Sequence, residues 1–284
     1  MKKRLLALFM GFVTISLSFS AFAVELDPAQ LLSASVILVN AKTGEVLYEK
    51  EADVRRPPAS VTKIMTLLIA IEQSDPEEIV TIPKCVQDIA LDSSRVPVFY
   101  GEKMPMRDLW YGLTYRSGND AANAIAEIVS GSISAFVDEM NKKAKELGMT
   151  NTQFKNPHGY TQEGHYTTAR DIAILTEYAL NNDLFREITF GESYTMAATS
   201  LRGEMKISHN YSITNFDSPY YYQYARGIKT GYTVAAGQCY TGAAVKGSDE
   251  LIVVLLRCGW NRMEKWTEAK KLFQYGFEKL KTQS

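Results

Sequence analysis

Three cysteines, Cys85, Cys239 and Cys258, are too few and too scattered over 284 residues to form a disulfide framework. Cys239 and Cys258 sit in apolar, strand-like runs and read as small buried residues, although a single bridge between two of the three stays open. Histidine is as scarce. His158, His165 and His209 come without an H-E-x-x-H pattern or a cysteine cluster, so no metal and no cofactor is expected. An excess of one charge is lacking too: 31 Lys and Arg face 32 Asp and Glu, with no basic cluster, which argues against a nucleic-acid partner. No internal repeat, low-complexity linker or sign of an obligate protein partner is visible.

Long hydrophobic runs are absent except at the start. There, M-K-K-R precedes an uncharged apolar run from Leu5 to Phe22, closed by the small-x-small site Ala21-Phe22-Ala23. These are the three parts of a secretory signal peptide, 1–23, which predicts export to the periplasm, cell wall or medium. An uncleaved anchor helix is the alternative reading of the same run. No cysteine follows closely, so a lipid anchor is not expected. Residues 24–284 are long enough for one large domain or two small ones.

What is present is an ordered change of period. "ASVILV" and "EVLYEK" flank an N-A-K-T-G turn, a hairpin signal. Helical period then dominates, with interruptions, to about Leu180. "DAANAIAEIVSG" closes on Gly131, "ISAFVDEMNKKAKELG" on Gly148, and "TTARDIAILTEYAL" opens on a capping pattern of Thr168 and Asp171. Strand signals return in "ESYTMAA", "GEMKIS", "GIKTG" and a hairpin turning at Lys246 to Glu250. The last stretch carries Trp266, Ala269, Leu272, Phe273, Phe277 and Leu280 on one helical face. The expected class is α+β: an antiparallel sheet built from both chain ends, flanked by helices, with an all-helical lobe inserted at roughly 66–190 and a cleft between the two.

Within "PPASVTKIMT", Lys63 falls on the apolar face of a helix among Ile64, Leu67, Leu68 and Ile71. A charge there is costly unless it is paired, neutral or chemically used. Ser60, at i−3, lies on the same face and within reach. Near a helix N-terminus and out of water, the lysine is pushed toward its neutral form, and a neutral lysine beside a hydroxyl is a general base. Alone, S-x-x-K is weak: Ser60 could simply cap the helix while Lys63 snorkels to solvent. Two further groups change the odds, Ser117 and Asn119 in "RSGNDAA", then Lys229, Thr230 and Gly231 in "GIKTGYT".

With these three motifs in order, the chain resembles the serine penicillin-binding proteins and β-lactamases, whose signature they are. It is most similar to the low-molecular-mass D-alanyl-D-alanine carboxypeptidases, through "PASVTKIMT", "YGLTYRSGNDAANAIAE", "NPHGYTQEGHYTTARDIAIL", "GIKTGYTVAAGQC" and "AKKLFQYGF". The resemblance implies a β-lactamase/transpeptidase-like fold and a single catalytic domain over 24–284; in a departure from longer relatives, no C-terminal β-rich domain is expected. It implies a peptidoglycan stem peptide ending in D-Ala-D-Ala as substrate and β-lactams as covalent inhibitors. Ser60 is then the nucleophile, Lys63 its base, and Ser117 a proton relay to the leaving amine. Asn119 holds the substrate amide and Lys63, while the backbone N–H groups of Ser60 and Tyr232 face the oxyanion. Lys229 supplies positive potential, while Thr230, with Thr233 as a second candidate, receives the terminal carboxylate. Many relatives add an arginine ten residues before the aromatic-Gly-Phe block; here Lys265 stands there, with Arg262 one turn earlier, and either could serve. An endopeptidase cutting cross-links, or a β-lactamase, would use the same groups.

Glu177 in "EYALN" mimics a β-lactamase deacylation motif, but Ile172, Leu175 and Ala179 place it inside a periodic helix. Tyr220 to Tyr222 and Tyr224 could line a glycan surface or pack structurally.

Overall fold

A computed structural model describes Leu26 and residues 30–283. The predicted signal segment, 1–23, lies outside the described residues. The chain opens with the hairpin β1 (Ser33–Asn40) and β2 (Val46–Lys50), whose turn uses Gly44 at φ +69°. A 3-10 turn, Ala59–Thr62, leads into α1 (Lys63–Gln73). A short ribbon of β3 (Ile79–Thr81) and β4 (Lys103–Pro105) follows, then α2 (Met106–Tyr115), α3 (Asn119–Ser130), α4 (Ile133–Glu146), α5 (Ala169–Ala179) and α6 (Asp183–Phe190). A second ribbon, β5 (Ser193–Met196) with β6 (Met205–Ser208), precedes β7 (Ala225–Thr233), β8 (Gly237–Lys246), β9 (Asp249–Cys258) and α7 (Glu264–Gln283).

The main sheet runs β2-β1-β9-β8-β7, and each neighbouring pair is antiparallel. Both chain ends build it, as the pattern of strand signals predicts. The "ESYTMAA" and "GEMKIS" strands do not join it; they pair only with each other. The inserted lobe is mainly rather than wholly helical: it also holds the β3–β4 ribbon and an antiparallel bridge between Gln153 and Tyr166. Helix α6 follows Asn182, whose side chain accepts from the N–H groups of Leu184 and Phe185.

The sheet is buried on both faces, which explains why β9 reads as an unbroken apolar run. Ile252, Val254 and Leu256 of β9, with Ile37 and Val39 of β1, join the core shared with the helical lobe. The alternate residues, Leu251, Val253 and Leu255 with Val36 and Leu38, pack under α7 against Trp266, Leu272, Phe273 and Phe277. Helix α7 approaches closely because Gly276 has no side chain; a Cβ there would lie 2.7 Å from Leu251 Cδ1 and 2.9 Å from Leu38 Cδ2. The buried carboxylate of Glu268 accepts hydrogen bonds from the backbone N–H groups of Leu32 and Ser33 and from the Ser33 hydroxyl, fastening α7 to the start of β1. Tyr222 stacks on Phe273, and Tyr224 meets Phe277 edge-on, so these two tyrosines seal α7. All three cysteines are free and buried.

Strand β7 is an edge of the sheet, and the 3-10 turn packs over its face at Gly231. A Cβ at Gly231 would lie 2.8 Å from the Ser60 nitrogen and 2.9 Å from Ala59 Cβ. This close approach sets the cleft.

Candidate active site

Pro57 and Pro58 precede Ala59, which adopts φ +48°, a left-handed conformation that costs about 1–2 kcal/mol for a residue bearing a Cβ. The strain swings Ser60 into the first turn of a 3-10 segment and puts Lys63 at the head of α1. Gly159, at φ +85°, lies against this turn, and a Cβ there would overlap the Ala59 carbonyl oxygen.

Lys63 is 1 % exposed. Its Nζ lies 3.1 Å from Ser60 Oγ, 2.7 Å from Asn119 Oδ1 and 2.7 Å from the His158 carbonyl oxygen. The last two atoms can only accept hydrogen bonds. A neutral amine has two hydrogens, and these acceptors take both, so its lone pair is left facing the Ser60 hydroxyl. Burial first, and the neighbouring Lys229 second, hold the Lys63 amine well below its usual pKa, against a smaller opposing pull from Asp120.

Asn119 is aimed by the loop before it. Its Nδ2 donates to Ser93 Oγ at 3.0 Å and its backbone N–H to the Ser94 carbonyl at 2.8 Å, which turns Oδ1 toward Lys63. Asp120, beside it, anchors the same loop by accepting from the N–H of Val96 at 3.0 Å. Burial raises its carboxyl to about 6 against those hydrogen bonds. Ser117 sits at φ +55° just before α3, and its hydroxyl forms no hydrogen bond with the described residues.

On the facing strand, Lys229 is 3 % exposed and donates to the Thr230 carbonyl at 2.9 Å. Burial pushes its amine down to about 7. Thr233 Oγ1 accepts from the Ala236 N–H at 3.1 Å, which leaves its own hydrogen free to donate. Beside Thr230 opens a cavity of about 880 Å³ whose walls include His209, Phe216, Arg262 and Lys265. Tyr221 lines it as well, unlike Tyr222 and Tyr224. Lys265 is buried and tied to Gln238 Oε1 at 2.7 Å and to the Arg262 carbonyl at 2.6 Å, and burial lowers it to about 8. The Arg262 side chain is exposed on the cavity wall.

The structure therefore brings Ser60, Lys63, Asn119, Lys229 and Gly231 together, with Ser117 at the start of α3 and Thr230 at the mouth of the cavity. A model of the D-alanyl-D-alanine carboxypeptidase family matches residues 22–258. The chain belongs to that family.

Among carboxypeptidases, it is 35% identical to D-alanyl-D-alanine carboxypeptidase DacF of Bacillus subtilis, an alignment spanning 99% of this chain and 72% of DacF. The carboxypeptidase of Streptomyces sp. strain K15 is 33% identical, with 84% of this chain and 85% of the relative aligned. Among solved structures, the Streptomyces K15 DD-transpeptidase superposes with a TM-score of 0.80 at 31% identity, covering 87% of this chain and 98% of its own. The D-alanyl-D-alanine carboxypeptidase of Mycobacterium tuberculosis gives 0.78 at 29% identity, covering 87% and 91%. The fold is thus that of the penicillin-binding DD-peptidases. Among the described residues, no helix is long and apolar enough to cross a membrane.

Three contributions were not legible in the sequence. The His158 carbonyl completes the shell of Lys63, Ser93 aims Asn119, and His165 reaches Thr62 beside the nucleophile. Glu177 stays on α5 with its carboxylate beside Gly44, in the turn between β1 and β2. The Thr168 cap is half a box: its hydroxyl accepts from the Asp171 N–H, while the Asp171 carboxylate instead takes the Asn151 N–H and the Thr152 hydroxyl.

Proposed function

We propose that this carboxypeptidase removes the terminal D-Ala from peptidoglycan stem peptides through an acyl-enzyme on Ser60. The observation that carries this reading is the Lys63 amine, buried and held by two pure acceptors so that its lone pair faces the hydroxyl at 3.1 Å. An extended peptide would lie along the free edge of β7. Lys63 takes the Ser60 proton as Oγ bonds to the penultimate D-Ala carbonyl carbon. The oxyanion forms against the N–H groups of Ser60 and Tyr232. Collapse breaks the C–N bond, and the proton taken by Lys63 passes by way of the Ser117 hydroxyl to the departing amine, which returns Lys63 to its neutral form. Water then attacks the ester, and Ser60 regains its hydrogen.

Lys229, Thr230 and Thr233 hold the terminal carboxylate in this scheme. Arg262 is the better placed of the two distal cations, because the Lys265 amine is committed to Gln238 and the Arg262 carbonyl. β-Lactams would acylate the same serine. The reading extends to a signal peptide over 1–23, a single catalytic domain over 24–284, and action outside the cytoplasm.

The deciding experiment incubates the protein with a D-Ala-D-Ala pentapeptide and, separately, with a fluorescent penicillin. Release of free D-Ala, with durable labelling lost in Ser60→Ala, is expected. Labelling with no D-Ala release overturns the assignment, and rapid penicillin hydrolysis without D-Ala release would make the protein a β-lactamase.

A further inference from the structure

His165 touches none of the groups assigned to chemistry, yet its side chain is buried and packs edge-on against Phe154. The Lys155 backbone N–H points at its Nδ1 from 3.2 Å. That nitrogen is therefore the acceptor, and the ring hydrogen sits on Nε2. Nε2 lies 3.0 Å from Thr62 Oγ1, which lies 2.8 Å from the Ala59 carbonyl oxygen. A carbonyl can only accept, so the Thr62 hydroxyl donates to Ala59 and receives from His165. Every hydrogen in the chain is thereby assigned, from Lys155 through His165 and Thr62 to Ala59.

The end of this chain matters because of what shares its peptide plane. The Ala59 carbonyl and the Ser60 N–H belong to one planar, trans unit, so they point in opposite directions and turn together. No hydrogen bond joins that N–H to the described residues, which leaves it free for an anion at the cleft. The carbonyl is confined on its other side by Gly159. We propose that His165 is a positioning residue: acting through Thr62, it sets the orientation of the Ala59–Ser60 peptide and hence of the Ser60 N–H that receives the oxyanion. Burial lowers His165 to about 4, so near neutral pH it keeps the uncharged tautomer this arrangement needs.

The inference rests on Ser60 being the nucleophile and adds a residue that meets no substrate. Two amide replacements separate its two hydrogen bonds. His165→Gln puts an N–H donor where Nε2 lies, keeping the link to Thr62 and losing that to Lys155. His165→Asn keeps an acceptor near Nδ1 and loses Thr62. The acylation rate constant and the pre-covalent dissociation constant for a fluorescent penicillin are measured in both, in Thr62→Ser, Thr62→Val and Ser60→Ala, and beside wild type, together with each Tm. His165→Gln and Thr62→Ser are expected within about threefold of wild type in acylation, since they retain the donor. His165→Asn and Thr62→Val are expected to lose about 10- to 100-fold in that rate with little change in pre-covalent binding. The Gln and Asn variants each lose one hydrogen bond, so their Tm values fall alike. Equal acylation by Gln and Asn, losses that follow Tm alone, or wild-type acylation by Thr62→Val overturns the proposal. If a His165 variant does not fold, the Thr62 pair decides. An unlabelled wild type, or labelling that survives Ser60→Ala, defeats the Ser60 reading and this inference with it. A labelled wild type without the Gln/Asn split defeats the inference alone.

Discussion

Gly231 of β7 lies directly against Ser60: a Cβ added to it would sit 2.8 Å from the Ser60 nitrogen and 3.2 Å from that of Val61. Strand and nucleophile turn are in backbone contact there, with no room for a methyl group. Gly231→Ala is expected to push the turn off the strand and slow penicillin acylation about 100-fold, with a much smaller effect on Tm. Stopped-flow labelling checks this. Unchanged acylation would mean that the separation of strand and turn does not govern the rate.

Lys63→Met removes the base while leaving Ser60 in place. D-Ala release is expected to fall about 10²- to 10⁴-fold, the usual contribution of a positioned general base. In the wild type, kcat/KM rises as pH increases through the lowered Lys63 pKa, because only the neutral amine accepts a proton. A pH profile with no rising limb, or full turnover in the methionine variant, would remove Lys63 from the mechanism.

Lys229 titrates at about 7 when folded and near 10.4 when unfolded, so between those values the unfolded chain binds the extra proton. Stability then increases with pH across that window, by on the order of 1 kcal/mol per pH unit from this group. Against Lys229→Met, the wild type is expected to gain stability between pH 7.5 and 9, read from denaturant midpoints at both pH values. Its positive charge is lost over the same range, so KM for a substrate ending in a carboxylate is expected to rise. A wild-type advantage that shrinks with pH has the wrong sign for a buried amine.

Ser117 occupies a left-handed conformation at φ +55°. Ser117→Gly and Ser117→Ala both lose the hydroxyl and are expected to turn over far more slowly than wild type. Only glycine relieves the backbone strain, so the glycine variant is expected to be more stable than the alanine one by about 1 kcal/mol. Thermal unfolding of the two proteins tests it.

Phe273 is fully buried under the sheet and stacked with Tyr222. Phe273→Ala is expected to cost about 3–5 kcal/mol, a large share of the stability of an ordinary domain. Chemical denaturation measures it, and a loss below about 1 kcal/mol would mean that α7 does not hold the sheet.

Some of this organisation is local and therefore legible in the chain. Serine and lysine three apart meet on any helix-like turn, so Ser60 and Lys63 could be paired on spacing alone. The doubly buried β9 shows as an unbroken apolar run, and α7 as one apolar stripe. The β5–β6 ribbon misleads for the same reason: its alternation marks strands, but alternation does not say which strands pair. The Asn182 cap before α6 was a usable signal that helical period beyond Leu180 had not ended.

What decides the reactivity of Lys63 is long-range. Asn119 comes from 56 residues away, the His158 carbonyl from 95, and His165 reaches Thr62 across 103. A residue pattern encodes which face of an element is buried, and so determined that Lys63 would be desolvated. Where an amine's lone pair points depends on which oxygens stand around it, and those arrive only when α3 and the loop at His158 pack around the head of α1.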